Sequence, residues 1–362
     1  MWTVEHSVTT SAPAHEVWLR YQDTDTWPEW NAAVGAVRLD GPFATGTTGT
    51  LAPPDQEPLP FTLVSVTVDV GYVSETAIAD TVSLRTSAAL TPLEDGGTRI
   101  THRVDLVGPA ADFFAQSFGP ALTAGLPKTV AALAEAARPR ALIVVTSHDQ
   151  LGDTGRSTGA YLSEVSDAWQ VFTAAGYRVE LASVRGGKPP LEAVTADDPL
   201  LAADPGFLAD SATPGSLDPA RYRIIFVAGG HGAVWDLPDD KDLATLISTG
   251  HQNGAVVAAV CHGAAALINA VGPDGRPLVA GRRVAAFTND EERAVGMTAI
   301  VPFLLADALV SQGAVHDSAP SFMPHTVVDG RLVTGQNPAS AAAVAEAAVA
   351  VLRPATAAQR AT

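Results

Sequence analysis

Residues 255–267 read AVVAAVCHGAAAL and set a thiol beside an imidazole, at Cys261 and His262. Cys261 is the only cysteine of the chain. A thiolate attacks electrophilic carbon and a neighbouring histidine moves protons, so the pair suits covalent catalysis. AVVAAV reads as a buried strand and GAAALINAV as a helix over 263–271, with Cys261 at the sharp turn between them. Open α/β sheets bind ligands at the carboxyl ends of their strands, where this turn lies. The free N–H groups and positive end of the next helix favour a thiolate. A thiol pKa near 8.5 falls to about 3.5–7.5 in such surroundings. Gly263 and the alanines behind it allow tight packing under the turn, as in a nucleophile elbow. A cysteine among apolar residues is also a common core residue. The local sequence leaves both readings open.

Other groups stand at comparable places. Gly229, Gly230 and Gly232 of VAGGHGAVWDL, with His231 among them, make a strand-end turn. His148 of TSHDQ falls at another strand end, where it can line a pocket. Glu164 of YLSEV lies on an amphipathic helix, a position usual for a solvated acid. The acids Asp290, Glu291 and Glu292 suit a helix N-terminus. No CxxC or HExxH spacing occurs, so no metal is expected.

The elements that must position these groups change character near residue 139. Up to there, alternating strand patterns (WTVEHSVTTSA, LPFTLVSVTVDVG, VSLRTSAALTPL, TRITHRVDLVG) follow a short helix beginning PAHEVWLRYQ. They end in one long helical stretch from Ala111 to the Ala-Ala-Arg before Pro139. The turn EDGG marks a hairpin. Beyond Pro139, unbroken apolar strands alternate with helices. The run is ALIVVTS, helix 160–175, YRVELAS, RIIFVAGG, helix 239–252, AVVAAV, RVAAF, helix 294–312, TVVDGRLVTG and helix 338–352. Such strands imply a mostly parallel sheet covered on both faces. Two domains are expected: 1–138, an α+β curved antiparallel sheet around a long C-terminal helix, and 140–355, a doubly wound, flavodoxin-like α/β sheet. Only the tail ATAAQRAT looks low in complexity.

Composition narrows the partners. Lys and Arg total 22 against 39 Asp and Glu, a net charge of −17, which argues against nucleic acid or an anionic membrane. No long apolar run reads as a membrane span. One cysteine forms no internal disulfide, and the start MWTVEHSVTT lacks a secretory pattern, so a cytoplasmic protein is expected.

Residues 140–353 resemble the DJ-1/PfpI superfamily, of the class I glutamine-amidotransferase-like fold, in the branch of glyoxalase III and heat-shock chaperones. The motifs are TGAYLSEVSDAWQVFTAAGYRVELASVRGGKPP, VAGGHGAVWDL, AVCHGAAAL, AAFTNDEE and DGRLVTGQNPASA, in that order. The resemblance implies Cys261 as nucleophile, His262 as its partner and Glu164 as a protonated acid that hydrogen-bonds the thiol. It implies Gly229, Gly230 and the His262 N–H as an oxyanion hole lined by His231, and Glu292 as the acid that orients His262. Asp290 and Glu291, being adjacent, compete for that last role. Two departures are Ala168–Trp169, where a proline is usual, and Leu191–Glu192, where an aspartate is usual. The implied activity needs no cofactor: a glyoxalase III-type lyase acting on small reactive carbonyls, methylglyoxal to lactate. An amidohydrolase, hydratase or deglycase on the same thiolate stays open, as does a stress chaperone or redox sensor. Relatives of this kind dimerise, so a homodimer is expected. Residues 1–138, with HEVWLRYQDTDTWPEWNAAV, resemble the SRPBCC (START/polyketide cyclase) superfamily, which implies a cavity for an apolar ligand. His6, His15 and His102 are scattered there, which favours binding over catalysis.

Overall fold

The computed structural model describes residues 2–352, so the tail ATAAQRAT and the expected domain end at 355 lie outside the described residues. The chain divides into two compact units, one ending at Pro139 and the other beginning at Arg140.

In the first unit, β1 (Trp2–Thr10), α1 (Ala14–Gln22) and α2 (Trp27–Trp30) precede β2 (Ala36–Leu39), β3 (Thr48–Ala52) and β4 (Leu59–Thr67). Then come β5 (Gly71–Ala79), β6 (Val82–Pro92), β7 (Thr98–Val107) and the long α3 (Ala111–Ala136). The seven strands form one antiparallel sheet in the order β1-β7-β6-β5-β4-β3-β2. Alternate residues of β1 are exposed and half-buried, the mark of a sheet with one face on a core. On α3, Gly119, Leu126, Val130, Leu133 and Ala134 recur at helical spacing and are buried, so one stripe of the helix lies in the core. Rings pack the inner face. Tyr21 and Trp18 are fully buried and Trp27, Trp30 and Tyr72 nearly so. Tyr21 meets Tyr72 edge-on at 5.1 Å. Tyr21 Oη lies 2.7 Å from His102 Nε2, also buried. The Trp18 and Trp30 indole N–H groups have no hydrogen-bond partner there.

In the second unit the central elements are β8 (Arg140–Val145), β9 (Ala160–Tyr161), α4 (Leu162–Ala174), β10 (Arg178–Ser183), β11 (Leu191–Glu192) and α5 (Pro199–Ala203). They continue with β12 (Tyr222–Val227), α6 (Ala233–Asp236), α7 (Lys241–Gln252) and β13 (Val256–Val260). After these come β14 (Arg283–Val284), α8 (Asn289–Ala294), α9 (Leu305–Ser311), β15 (Val315–His316), β16 (Thr326–Asp329), β17 (Leu332–Gly335) and α10 (Ala341–Leu352). The main sheet runs β10-β8-β12-β13-β17-β16, parallel except for β16. Numbered along the chain, its parallel strands follow the flavodoxin order 2-1-3-4-5. Successive residues alternate between two cores. Leu142, Val144, Ile225, Val227 and Val257 join α7 and α9 on one face. Ala141, Ile143, Ile224, Phe226 and Val256 join α4 and α10 on the other. Both faces are apolar, which is why these strands read as unbroken hydrophobic runs.

Three expected elements differ, one of them just after Cys261 at the site described below. RVAAF contributes only Arg283–Val284, paired with Val315–His316 outside the main sheet. The helix expected over 294–312 is mostly absent: α8 ends at Ala294, where it was to begin, and α9 covers only Leu305–Ser311. Gly296 ends the first: its φ is +73°, its N–H donates to the Arg293 carbonyl, and the Met297 N–H donates to the Glu292 carbonyl. That is a Schellman closure, which a left-handed glycine makes easy. No helix among the described residues is long and apolar enough to cross a membrane.

Candidate active site

β13 reaches Val260 in extended conformation, and Cys261 then turns with φ +58°. A non-glycine residue in that region costs about 1–2 kcal/mol, so the surroundings must enforce it. Two glycines do. A Cβ on Gly229 would come within 2.8 Å of the His262 nitrogen and 2.9 Å of Cys261 Cβ. Gly230 has φ +101°, and a Cβ there would strike the Gly159 carbonyl oxygen. In place of the helix expected over 263–271, a 3₁₀ stretch covers Cys261–Leu267. Its buried small residues press against the end of β12, where a Cβ on Gly263 would lie 2.8 Å from the Ala228 carbonyl carbon.

The thiol is 3% exposed. Its Sγ lies 3.4 Å from His262 Nδ1, and the backbone N–H groups of Gly230 and His262 point at it. The Glu164 carboxyl, fully buried at the start of α4, completes the ring: Oε2 accepts the Gly229 N–H at 2.5 Å and the thiol stands beside the carboxyl. The Gly229 N–H, expected in the oxyanion hole, is therefore committed to Glu164. Gly230 and His262 supply the two donors that remain.

The expectation of an acidified thiol meets opposition. Burial pushes the Cys261 thiol up and the charge of Glu164 adds to it, while the Gly230 and His262 N–H groups pull the other way. A short 3₁₀ stretch also lacks the dipole of a long helix. Burial raises Glu164 to about 8, so at neutral pH its carboxyl keeps a proton and puts no negative charge on the sulfur. The two groups titrate as a pair that holds at least one proton, on oxygen or on sulfur.

The acids after Phe287 separate cleanly. Glu292 Oε2 lies 2.8 Å from His262 Nε2. Glu291 faces elsewhere: it closes a capping box with Thr288 and accepts hydrogen bonds from the Phe322 N–H, Gln336 and Asn337. Asp290 is exposed and pairs with Arg293. Burial would raise Glu292, but the facing His231 ring and the hydrogen bond to His262 prevail and hold it down to about 2. Burial lowers His262, which favours its neutral form.

His231 does not offer its donors to the hole. Its N–H donates to Glu192 Oε1 at 3.0 Å, and its ring stands between two carboxylates, Nδ1 3.7 Å from Glu192 and Nε2 3.3 Å from Glu292. His148 is not brought to the thiol either: its ring stacks on Trp235 at 5.1 Å and its Nε2 meets the Gln150 carbonyl. Two residues that sequence reasoning did not place in the site are Glu192 and Tyr161. Tyr161 is raised by burial and then by the nearby Glu164 and Cys261 charges. Its position three residues before Glu164, at the helix start, was the available signal. Among the described residues His231, His262 and Glu292 are the one group with donor atoms close enough to share a cation, within 4.8 Å of one another. A surface cleft of about 380 Å³ lies along α8 and α9, lined by Asn289, Asp307 and His316, but no member of the thiol cluster lines it.

A strained cysteine on a parallel-sheet elbow, with a buried acid from the helix after the first strand, defines a class. Residues 157–351 match the DJ-1/PfpI family, and the chain belongs to that family. Residues 1–138 match the model for polyketide cyclase/dehydrase and lipid transport proteins. Glyoxalase 3 of Candida albicans is 31% identical over 229 residues, covering 58% of this chain and 97% of that protein. The glutathione-independent glyoxalase hsp3101 of Schizosaccharomyces pombe is 34% identical over 216 residues, covering 54% of this chain and 88% of that protein. The crystal structure of glyoxalase III from Candida albicans superposes with a TM-score of 0.55 at 30% identity, covering 59% of this chain and 98% of that one.

Proposed function

We propose that this protein is a glutathione-independent glyoxalase that converts methylglyoxal or a similar 2-oxoaldehyde to the 2-hydroxy acid, with Cys261 as nucleophile. The observation that carries the reading is the line Cys261–His262–Glu292, at 3.4 Å and 2.8 Å, with the protonated acid Glu164 at the same sulfur. The relatives named as glyoxalases support the substrate class.

In this reading the sulfur adds to the aldehyde carbon, and the proton held by the Glu164–Cys261 pair passes to the aldehyde oxygen. The Gly230 and His262 N–H groups steady the charge on that oxygen as it develops. His262, neutral and held by Glu292, removes the hydrogen on that carbon as a proton; the electron pair left behind forms a carbon–carbon double bond and the adjacent carbonyl oxygen takes the charge, giving an enediolate. His262 then returns the proton to the second carbon while the hydroxyl proton of the first oxygen passes to the second oxygen, leaving a 2-hydroxyacyl thioester. Water hydrolyses the thioester, releases the hydroxy acid and restores the proton of the Glu164–Cys261 pair. The match of residues 1–138 to polyketide cyclase/dehydrase and lipid transport proteins supports a first unit that binds an apolar ligand.

Purified protein given methylglyoxal should form lactate, and Cys261→Ala should form none. Full turnover by Cys261→Ala, or activity confined to amides, sinks the reading. Native mass spectrometry of the full chain reports both a co-purified ligand and the expected dimer.

A further inference from the structure

We infer that Glu192 and His231 form a second positioning unit, a cation held behind Glu292 that keeps His262 ready to accept a proton. This rests on the proposed role of His262 as base. Glu192 sits on β11, a strand of two residues whose partner is β9, immediately before the helix that carries Glu164. Its carboxylate is tied on two sides: Thr158 donates to Oε2 at 2.9 Å and the His231 N–H donates to Oε1 at 3.0 Å. The Tyr161 N–H in turn donates to the Gly229 carbonyl, so the strap 158–164 and the glycine turn are locked together.

The imidazole of His231 is 18% exposed and faces Glu192 from β11, Glu292 from α8, His262 from the elbow and the apolar ring of Phe287. Its ring centroid is 4.5 Å from that of His262. Burial alone would lower His231, but the two carboxylates outweigh it and raise it to about 9, so the ring is an imidazolium at neutral pH. One Glu292 oxygen then serves His262 and the other serves His231. Both a positive neighbour and a Glu292 shared with a second histidine make protonation of His262 harder. A base that stays neutral at the working pH is available for every turnover.

Two variants test this by histidine-resolved NMR titration of the full chain, alongside pH–rate profiles. In His231→Gln the His262 titration and the acid limb of kcat/KM should both move upward by about one pH unit, a shift expected for loss of one partly screened charge. In Glu192→Gln the His231 titration should fall from its high value, and Glu192→Asp should restore it in part. An unmoved His262 in His231→Gln, or an unmoved His231 in Glu192→Gln, overturns the inference. The NMR readout needs no substrate, so a protein inert towards methylglyoxal would sink the proposed function and leave this result standing.

Discussion

Glu292 and its neighbour Glu291 are both buried, yet they point to different tasks: Glu292 reaches His262 Nε2 at 2.8 Å, while Glu291 ties α8 to Phe322, Gln336 and Asn337. Adjacent positions of α8 thus face two separate networks.

Paired substitutions should expose that division. Glu292→Gln should lower kcat by about 10²–10⁴-fold, the usual worth of proton-transfer catalysis, and should also lower the unfolding midpoint, because the buried His231 loses a counter-charge. Glu291→Gln should leave kcat per folded molecule within a few-fold and cost about 3 kcal/mol, because several donors lose a charged acceptor. Steady-state kinetics and urea unfolding on both variants check this.

Glu164 makes stability depend on pH in a predictable direction. Its folded value of about 8 stands above the ordinary carboxylate value of 4.5, so folding takes up a proton between those limits. Stability from this group is present below about pH 4.5 and is lost as pH rises towards 8. Glu164→Gln should remove that slope, leaving the variant more stable than wild type at pH 8 by on the order of a few kcal/mol. Denaturant unfolding at pH 5 and pH 8 reads the difference.

Gly230→Ala combines a forbidden φ with a collision against the Gly159 oxygen. It should displace the Gly230 N–H and reduce kcat by about 10²-fold or more, the range for loss of one oxyanion donor. Turnover close to wild type would show that this N–H is not used.

His102 predicts acid sensitivity in the first unit. Burial lowers it to about 4 from the ordinary imidazole value of 6.5, so the unfolded chain binds the extra proton between those values. Stability from this group is full above about pH 6.5 and is lost as pH falls towards 4. Tryptophan fluorescence during acid titration should report early loosening, and His102→Gln should flatten it.

Much of this arrangement was legible because it follows from local pattern. The alternation of β1 and the unbroken apolar strands β8, β12 and β13 announced a half-buried antiparallel sheet and a parallel sheet covered on both faces. The bend at Cys261 and the glycines before His231 marked strand ends. What escaped depended on long-range register. Tyr21 and His102 are 81 residues apart and meet only once the sheet has closed. Glu192 lies on a strand too short to show any period. Periodicity did not reveal that Gly296 would close α8 and leave only Leu305–Ser311 of the helix expected over 294–312, nor that the Gly229 N–H would turn to Glu164.

The single thiol lies in one unit, while four of the six tryptophans (Trp2, Trp18, Trp27 and Trp30) lie in the other. Stoichiometric alkylation therefore reports on the second half alone, while indole emission is weighted towards the ring-lined half, with Trp169 and Trp235 contributing from the other. Both signals can be read from one unmodified sample without engineered probes.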